Sequence, residues 1–283
     1  MKKKNLTTVL LILAFLAGLS LLLYPTVSDY WNSLHQSRAI TEYAEQVNEL
    51  DNELYEQLWA DARSYNQTLL QNPDRYEMTD EERAEYESLL DVSGTGIIGY
   101  IEIPLIGCSL PIYHGTEESV LQIAVGHIEG TSLPVGGAGC HSVLSGHRGL
   151  PSAKLFTDLD KLTVGEDFIL RILDETLTYE VDQILIVEPY ELDALAIDPE
   201  RDYCTLVTCT PYGINSHRLL VRGHRIENQE EARLVRVTAD AMRIEPVIVA
   251  PLAALPMLLL LLIVLLIPKK PRKKNGGDPF EDL

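Results

Sequence analysis

The middle of the chain is a series of short apolar runs separated by turn residues. The runs are rich in isoleucine, leucine and valine, and glycine, proline, asparagine or aspartate stands between nearly all of them. Many short strands at this spacing are typical of a closed β-barrel. We predict strands at Ile97 to Ile103, Leu110 to Tyr113, His141 to Ser145, Phe168 to Leu173, Leu177 to Val187, Cys204 to Cys209 and Leu219 to Arg225, with a hairpin tip at Asp174-Glu175.

The segment before these strands has helical periodicity. Apolar side chains recur at helical spacing from Ile40 to Leu69 among acidic residues, which predicts one long amphipathic helix or a bent pair. We expect its apolar face to pack on the chain's own barrel; a coiled-coil surface for a partner is the alternative. A capping box at Thr79 to Glu82 predicts a further helix that runs to about Leu90. Shorter helices are predicted from Thr116, between Ser152 and Leu162, and around Glu191 to Ala196.

Two uncharged stretches near the ends are long enough to cross a membrane, for which about 20 apolar residues suffice. Leu6 to Ser28 follows three lysines, and Pro246 to Pro268 precedes a second basic cluster. Basic flanks favour the cytoplasmic side, so both termini are expected inside the cell and the residues between the spans outside. A cleaved signal peptide is the alternative for the first stretch.

These patterns divide the chain into six parts. The predicted parts are residues 1–29 (basic end and first span), 30–92 (extracellular helices with a possible lid loop), 93–228 (barrel), 229–245 (linker), 246–268 (second span) and 269–283 (cytoplasmic tail).

Charge narrows the range of partners. The chain of 283 residues has a formal net charge of −19, and 46% of its residues are hydrophobic, which is ample for one substantial core. The two ends hold 8 of the 23 lysines and arginines, so the middle is more acidic than the total indicates. Nucleic acid is therefore not expected as a partner.

Cys209 is the first candidate for chemistry. The apolar run Thr205-Leu-Val-Thr-Cys209 predicts a strand that ends at the cysteine, because Pro211 and Gly213 follow and cannot continue it. Arg218 begins the returning strand, so a β turnaround brings its guanidinium alongside the sulfur. A thiol beside a fixed cation loses its proton more readily and becomes a nucleophile.

A base for this thiol is expected at another strand end. His147 ends an apolar strand and lies between Gly146 and Gly149, which suits a backbone that brings a side chain close to a substrate. The other histidines of the barrel region compete with it, and Arg148, Arg222 and Arg225 compete with Arg218 but are expected to be surface or fold residues. The competing histidines are His114, His127, His141, His217 and His224.

Together, these blocks strongly resemble the sortases, the membrane-anchored cysteine transpeptidases of Gram-positive bacteria. The resemblance rests on Thr-Leu-Val-Thr-Cys at 205 to 209, on Arg218, and on Ser-Gly-His-Arg-Gly at 145 to 149. Ile103-Pro104, Leu110 to Thr116, and Thr210 to Arg218 are similar to the pilus-building branch, class C, which typically has a C-terminal membrane helix. The likeness covers roughly Ile40 to Arg225.

The resemblance implies a fold and a reaction. It implies a mainly β fold, the eight-stranded sortase barrel, and a catalytic set of His147, Cys209 and Arg218, with no cofactor or metal. It also implies cleavage of a Leu-Pro-x-Thr-Gly-like sorting signal after threonine, through a thioester. In class C the acyl group then passes to a pilin lysine, which builds a covalent fibre.

Three other functions stay open. A sortase that attaches proteins to peptidoglycan would use the same three residues with another amine, a cysteine peptidase would release a free acid, and a noncatalytic assembly scaffold would not need Cys209.

The sequence does not decide whether the chain has the lid that is found in class C sortases. That lid often carries an Asp-Pro-aromatic motif before the barrel, and the nearest substitute here is Asn72-Pro73-Asp74-Arg75-Tyr76. Asp278-Pro279-Phe280 has the right residues but follows the second span.

The state of the other three cysteines is undecided: Cys108, Cys140 and Cys204 could form disulfides or be buried thiols. A Cys204–Cys209 redox pair fits the spacing poorly, and so does a zinc site with Cys140, His141 and His147.

Overall fold

Eight strands form a closed barrel, as the pattern predicts. The computed structural model describes residues 2–228, with side chains from residue 8 onward. The strands follow the order β1-β2-β3-β4-β7-β8-β6-β5 around the barrel. Their bounds are β1 Ile97–Ile103, β2 Cys108–His114, β3 Val125–His127, β4 Cys140–Ser145, β5 Asp167–Ile172, β6 Glu175–Val187, β7 Asp202–Thr210 and β8 His217–Ile226.

The sequence pattern missed one strand and misplaced one turn. β3 is only three residues long and contains a glycine, so it has no alternation that a sequence pattern can register. The β5–β6 hairpin turns at Leu173 and Asp174, one residue earlier than predicted, and Leu173 adopts a positive φ of 50° there.

Two strand pairs are parallel, and one of them is central to the candidate site. β2 pairs in parallel with β3, and β4 pairs in parallel with β7; the other pairs are antiparallel. Because β4 and β7 run in the same direction, their C-terminal ends lie at the same edge of the sheet. The next strand in the order, β8, begins at that edge with His217 paired to Thr210.

The barrel interior and part of its outer wall are both apolar. The main core cluster takes side chains from every strand, among them Leu206 of β7 and Val221 of β8. A second, smaller cluster consists of Val143, Val207, Leu220 and Leu195. Successive strand residues point to opposite faces, so this second cluster lies on the outer face of β4, β7 and β8. We call these four residues the outer strip.

The four cysteines are free thiols. Cys204 lies in the core cluster, whereas Cys209 is five residues further along the same strand and therefore faces the outer side. Burial raises the pKa of Cys108 to about 12 and that of Cys140 to about 11. Cys140 and Cys204 are thus buried thiols, Cys108 is a partly buried one, and the Cys204–Cys209 redox pair does not form.

Within residues 2–228, four α-helices accompany the barrel. Their bounds are α1 Lys2–Asn48, α2 Asn52–Gln71, α3 Asp80–Ser88 and α4 Glu118–Leu121. The predicted amphipathic segment is therefore a pair, because the helix breaks before Asp51, whose side chain caps α2 by accepting from Leu54 N at 2.8 Å. The predicted short helices near Ser152 to Leu162 and Glu191 to Ala196 are single 3-10 turns at Leu159–Lys161 and Asp193–Leu195.

The helices pack on the barrel, as expected from their apolar face. Tyr43 of α1 and Trp59 and Ala62 of α2 belong to the main core cluster. The Tyr43 hydroxyl donates to Ile98 O at 3.1 Å and accepts from Leu173 N at 2.9 Å. One side chain thus fixes α1 to two elements of the barrel.

The capping box that predicts α3 is present. The Thr79 side chain accepts from Glu82 N, and the Glu82 carboxylate accepts from Thr79 N at 2.8 Å. The helix ends at Ser88, about two residues before the predicted end. Its Tyr86 is fully buried against the barrel.

Within the described residues, α1 contains the single stretch that is long and apolar enough to cross a membrane, within Thr8–Asn48. The contact pattern divides the chain into two units, with Val27 the first residue of the unit that holds the barrel. The second predicted span at Pro246 to Pro268 and the Asp278-Pro279-Phe280 triplet lie outside the described residues.

Candidate active site

Cys209 and Arg218 lie opposite each other on neighbouring strands. They are paired residues of the β7–β8 ladder, so their side chains extend from the same face of the sheet. Val207 and Leu220 pair two residues further along the same ladder and belong to the outer strip. The Cys209 thiol is half-buried and borders this apolar surface.

His147 follows β4 at the same edge. In the parallel β4–β7 pair, Ser145 is opposite Val207. The peptide of Gly146 continues this pairing, because its N–H donates to Val207 O at 3.1 Å and its carbonyl accepts from the Thr208 hydroxyl at 2.7 Å. His147 comes one residue after this bonded peptide, as Cys209 comes one residue after Thr208. The end of β4, the end of β7 and the start of β8 thus place His147, Cys209 and Arg218 at one edge of the sheet.

Gly146 is required sterically for this approach. A Cβ at this position would lie 2.6 Å from the ring of Phe156, closer than real contacts allow. The loop after the histidine closes on itself, since Phe156 N donates to His147 O at 3.1 Å and Gly149 N donates to the Thr157 hydroxyl at 3.1 Å. Phe156 is fully buried, so the loop is anchored in the core.

A carboxylate lies next to the imidazole. Glu118, the first residue of α4, places Oε2 3.6 Å from His147 Nε2. The Gln122 amide and, to a lesser extent, the charge of His147 lower the pKa of Glu118. The sequence analysis did not single out Glu118, because nothing in the pattern links α4 to a strand end almost thirty residues later.

Arg218 differs from the competing arginines in its partners. Within residues 2–228, its guanidinium meets only backbone carbonyls, His217 O at 3.2 Å and Asn215 O at 3.4 Å. Arg222 instead forms a two-pronged pair with Asp182, at 2.9 and 3.0 Å, and Arg148 pairs with Asp160. The prediction that the competing arginines are surface or fold residues is confirmed for these two.

Burial lowers the pKa of three of the five competing histidines. It lowers the pKa of His127 to about 3 and that of His141 to about 4. His127 contacts the Tyr86 hydroxyl at 2.9 Å, and His141 lies between Ala196 O and the Thr205 hydroxyl at 2.8 and 2.7 Å. His114 is packed edge-on against Tyr86, and its ring nitrogens have no hydrogen-bond partner within residues 2–228. Burial favours the neutral imidazole in all three.

The 3-10 turn Asp193–Leu195 contributes Leu195 to the outer strip, whose other three residues come from the strands. Arg75, in the loop between α2 and α3, donates to Leu195 O at 3.0 Å, and His141 holds the next carbonyl at Ala196. The loop suggested as a lid therefore contacts the segment that precedes β7. Whether it acts as a lid stays a prediction.

Comparison with known proteins gives a family for this geometry. Residues 101–226 match the model of the sortase domain. Sortase C1 from Streptococcus agalactiae is 52% identical in sequence, with a TM-score of 0.65 over 68% of this chain and 99% of that one. Sortase C from Streptococcus pneumoniae is 47% identical, with a TM-score of 0.61 over 68% of this chain and 97% of that one.

A relative of another class matches more weakly. Sortase D from Bacillus subtilis is 30% identical over 131 residues, which cover 45% of this chain and 63% of that protein. The matched region therefore spans somewhat less than two thirds of that protein's length.

The fold and the matches define a cysteine transpeptidase. The chain belongs to the sortase family, and its structural neighbours are class C sortases.

Proposed function

We propose that this protein is a pilin-polymerising sortase in which Cys209 is the nucleophile, His147 the general acid and base, and Arg218 the stabiliser of the oxyanion. The observation that carries the proposal is the strand register. It pairs Cys209 with Arg218 directly and, through the bonded Gly146 peptide, brings His147 alongside them.

The first half-reaction forms a thioester. The Cys209 thiolate attacks the threonine carbonyl carbon of a Leu-Pro-x-Thr-Gly-like signal, and the negative charge that develops on oxygen is stabilised by Arg218. The carbon–nitrogen bond to glycine then breaks, and the His147 imidazolium gives its proton to the departing amine. The product is an acyl-enzyme with neutral His147.

The second half-reaction transfers the acyl group. A lysine amine attacks the thioester carbonyl, His147 takes the proton from that amine, and the carbon–sulfur bond breaks to restore the thiolate. The new bond is an isopeptide between two proteins. Because the imidazolium and the thiolate are regenerated together, the enzyme is ready for another signal.

The surface beside Cys209 supports an apolar signal. The outer strip continues from the thiol along β4, β7 and β8, and a Leu-Pro segment is the kind of chain that such a surface binds. A pilin as substrate is supported by the likeness to Streptococcus pneumoniae sortase C, a structure that gives insight into pilin substrate specificity.

Membrane attachment is part of the proposal. α1 supplies one apolar stretch that fits a membrane anchor. Lysines precede it, so the N-terminus is assigned to the cytoplasm and the barrel to the extracellular face, where sorting signals and pilins would meet it.

The full-length protein in nanodiscs, mixed with a Leu-Pro-x-Thr-Gly peptide and followed by intact mass spectrometry, tests this function. We expect a thioester adduct that transfers to a lysine of an added pilin domain. Cys209→Ala should give no adduct, and Cys108→Ala serves as the matched cysteine control. Transfer to a peptidoglycan cross-bridge amine but not to pilin would assign the cell-wall function instead. No adduct on the wild type would contradict transpeptidation of this signal.

A further inference from the structure

Three polar side chains of α1 bond to the barrel just after the predicted membrane span. Asp29 accepts from Lys154 N at 2.7 Å, Asn32 donates to Ser152 O at 2.8 Å, and Gln36 donates to Ile123 O at 2.7 Å. All three bonds reach across more than 80 residues of sequence and end on backbone atoms of the barrel. They therefore fix segments of main chain, whatever side chains those segments carry.

The bonded segments are the two that surround His147. Ser152 and Lys154 lie in the loop that begins at His147 and closes with the bond from Phe156 N to His147 O. Ile123 directly follows α4, the short helix whose Glu118 contacts the His147 ring. α1 thus holds both the loop that carries the imidazole and the helix that carries its carboxylate neighbour.

The spacing of the three residues suits this contact. Asp29, Asn32 and Gln36 are three and four residues apart and lie on one face of the helix. Tyr30 and Trp31 on other faces are 66% and 62% exposed. Exposed aromatic residues next to an apolar span are typical of the membrane–water interface. The contacts to the His147 loop are therefore made by the part of α1 that directly follows the predicted membrane span.

The loop depends on such outside support. Between Gly149 and Leu155 it contains no helix or strand, and its internal backbone bonds are the closing bonds at its ends and one turn from Thr157 N to Lys154 O. A catalytic group that is displaced by about 1 Å loses up to a hundredfold in rate, so small shifts of this loop matter.

We propose that the juxtamembrane part of α1 is a positioning element of the active site, in which Asp29, Asn32 and Gln36 hold the His147 loop and α4 in the arrangement that the reaction needs. The inference rests on the proposed role of His147. In this proposal the juxtamembrane residues of α1 contribute to catalysis, in addition to joining the barrel to the predicted membrane anchor.

Near-isosteric variants of the full-length protein in nanodiscs distinguish the effect of the three hydrogen bonds from the effect of helix packing. Asn32→Asp and Gln36→Glu keep the side-chain shape but lose the N–H donor, whereas Asp29→Asn keeps the acceptor oxygen that Asp29→Ala loses. Ser37→Asp is the matched charge control, because the Ser37 hydroxyl is exposed and bonds only to Ser33 O of the same helix.

Three readouts are measured. Hydrogen exchange of peptides that cover residues 120–126 and 148–158 reports the two segments directly. The rate of Cys209 alkylation by iodoacetamide, followed by peptide mapping, reports thiolate formation beside His147. The single-turnover rate of thioester formation, with its dependence on peptide concentration, reports the reaction.

We expect Asn32→Asp, Gln36→Glu and Asp29→Ala each to speed exchange in the bonded segment and to slow thioester formation roughly fivefold, the effect of one lost hydrogen bond, with an unchanged KM. Alkylation should slow in parallel. Asp29→Asn and Ser37→Asp should match the wild type in all three readouts.

Two results would overturn the inference. Unchanged exchange would show that the three bonds do not hold the segments, and faster exchange with unchanged alkylation and acylation would show that their role is structural only. If the wild type forms no thioester, the proposed function fails, but exchange and alkylation need no substrate and still decide whether α1 positions the loop.

Discussion

Cys209 and Arg218 are direct partners across the β7–β8 ladder, and their side chains leave the sheet on the same face. Directly opposed residues in an antiparallel pair have Cα atoms roughly 4.5 to 5.5 Å apart. Strand pairing therefore places the two residues side by side, and the guanidinium itself donates to the carbonyls of His217 and Asn215.

Arg218→Ala should reduce thioester formation roughly 100- to 1000-fold, the usual loss when a donor to an oxyanion is removed. Arg218→Lys keeps the charge but not the planar fork, so we expect it to recover only part of that loss. Single-turnover acylation measures both. Full activity of the lysine variant would show that charge alone suffices.

Glu118→Gln tests the carboxylate 3.6 Å from the His147 ring. Removal of this negative charge takes an ion-pair partner away from the His147 ring, so kcat/KM should fall. Because Glu118 is exposed, we expect a small change that high salt reduces. The pH dependence of kcat/KM at low and high salt measures it, and Glu117→Gln is the control. Superimposable profiles would remove Glu118 from the reaction.

Gly146→Ala should lower both stability and activity. The added Cβ would lie 2.6 Å from the ring of Phe156, and relief of the overlap must move either the ring or the peptide that leads into His147. Overpacking of this kind costs about 1–3 kcal/mol. Urea unfolding and acylation rates measure the two effects. A second change, Phe156→Leu, should restore part of both; failure to do so would contradict the steric explanation.

Tyr86→Phe should destabilise the barrel by about 2 kcal/mol, because it leaves a buried donor without a partner. The Tyr86 hydroxyl accepts from Gly115 N at 3.1 Å and contacts His127 Nδ1 at 2.9 Å, and the residue is fully buried. The free energy of unfolding in urea is the measurement. Tyr190→Phe, at a side chain that is 92% exposed, should have no effect.

Acid should destabilise the protein through its buried histidines. Burial lowers the pKa of His141 to about 4, with Arg222 and Arg75 acting in the same direction and Asp182 against it. An unfolded histidine titrates near 6.5, so between pH 4 and 6.5 the unfolded chain binds more protons and the free energy of unfolding rises with pH. At pH 5 this one group costs roughly 2 kcal/mol relative to neutral pH. His141→Gln should flatten the curve between pH 5 and 7, and an unchanged slope would contradict the assignment.

The strands of the barrel were predictable because they alternate or run apolar between strong turn residues. β1, at Ile97–Ile103, matches its prediction residue for residue. β3 escaped detection because its three residues contain no period, and its pairing comes from neighbours that are distant in sequence. Hydrophobic periodicity predicts structure that is local in sequence, whereas β3 forms because it pairs with β2 and β4 in the folded barrel.

The pairing of the Cys209 and Arg218 strands was predictable from the turn between them, whereas the place of His147 was not. The motifs indicated His147, Cys209 and Arg218, yet only the register shows how the Gly146 peptide joins the two strand ends. Glu118 escaped notice because it approaches His147 through the packing of α4. The free state of Cys108, Cys140 and Cys204 was left open by the sequence, since the number of cysteines does not fix their distances.

The order of strands around the barrel has a consequence for how the enzyme matures. β8 is the last strand of the barrel along the described residues, and it inserts between β7 and β6 to complete the ring. A chain that emerges from its N-terminus onward therefore presents Cys209 before the strand that carries Arg218 has joined it. If the proposed roles hold, an unfinished or truncated barrel would have the proposed nucleophile without the proposed stabiliser of the oxyanion, and closure of the ring would complete the site.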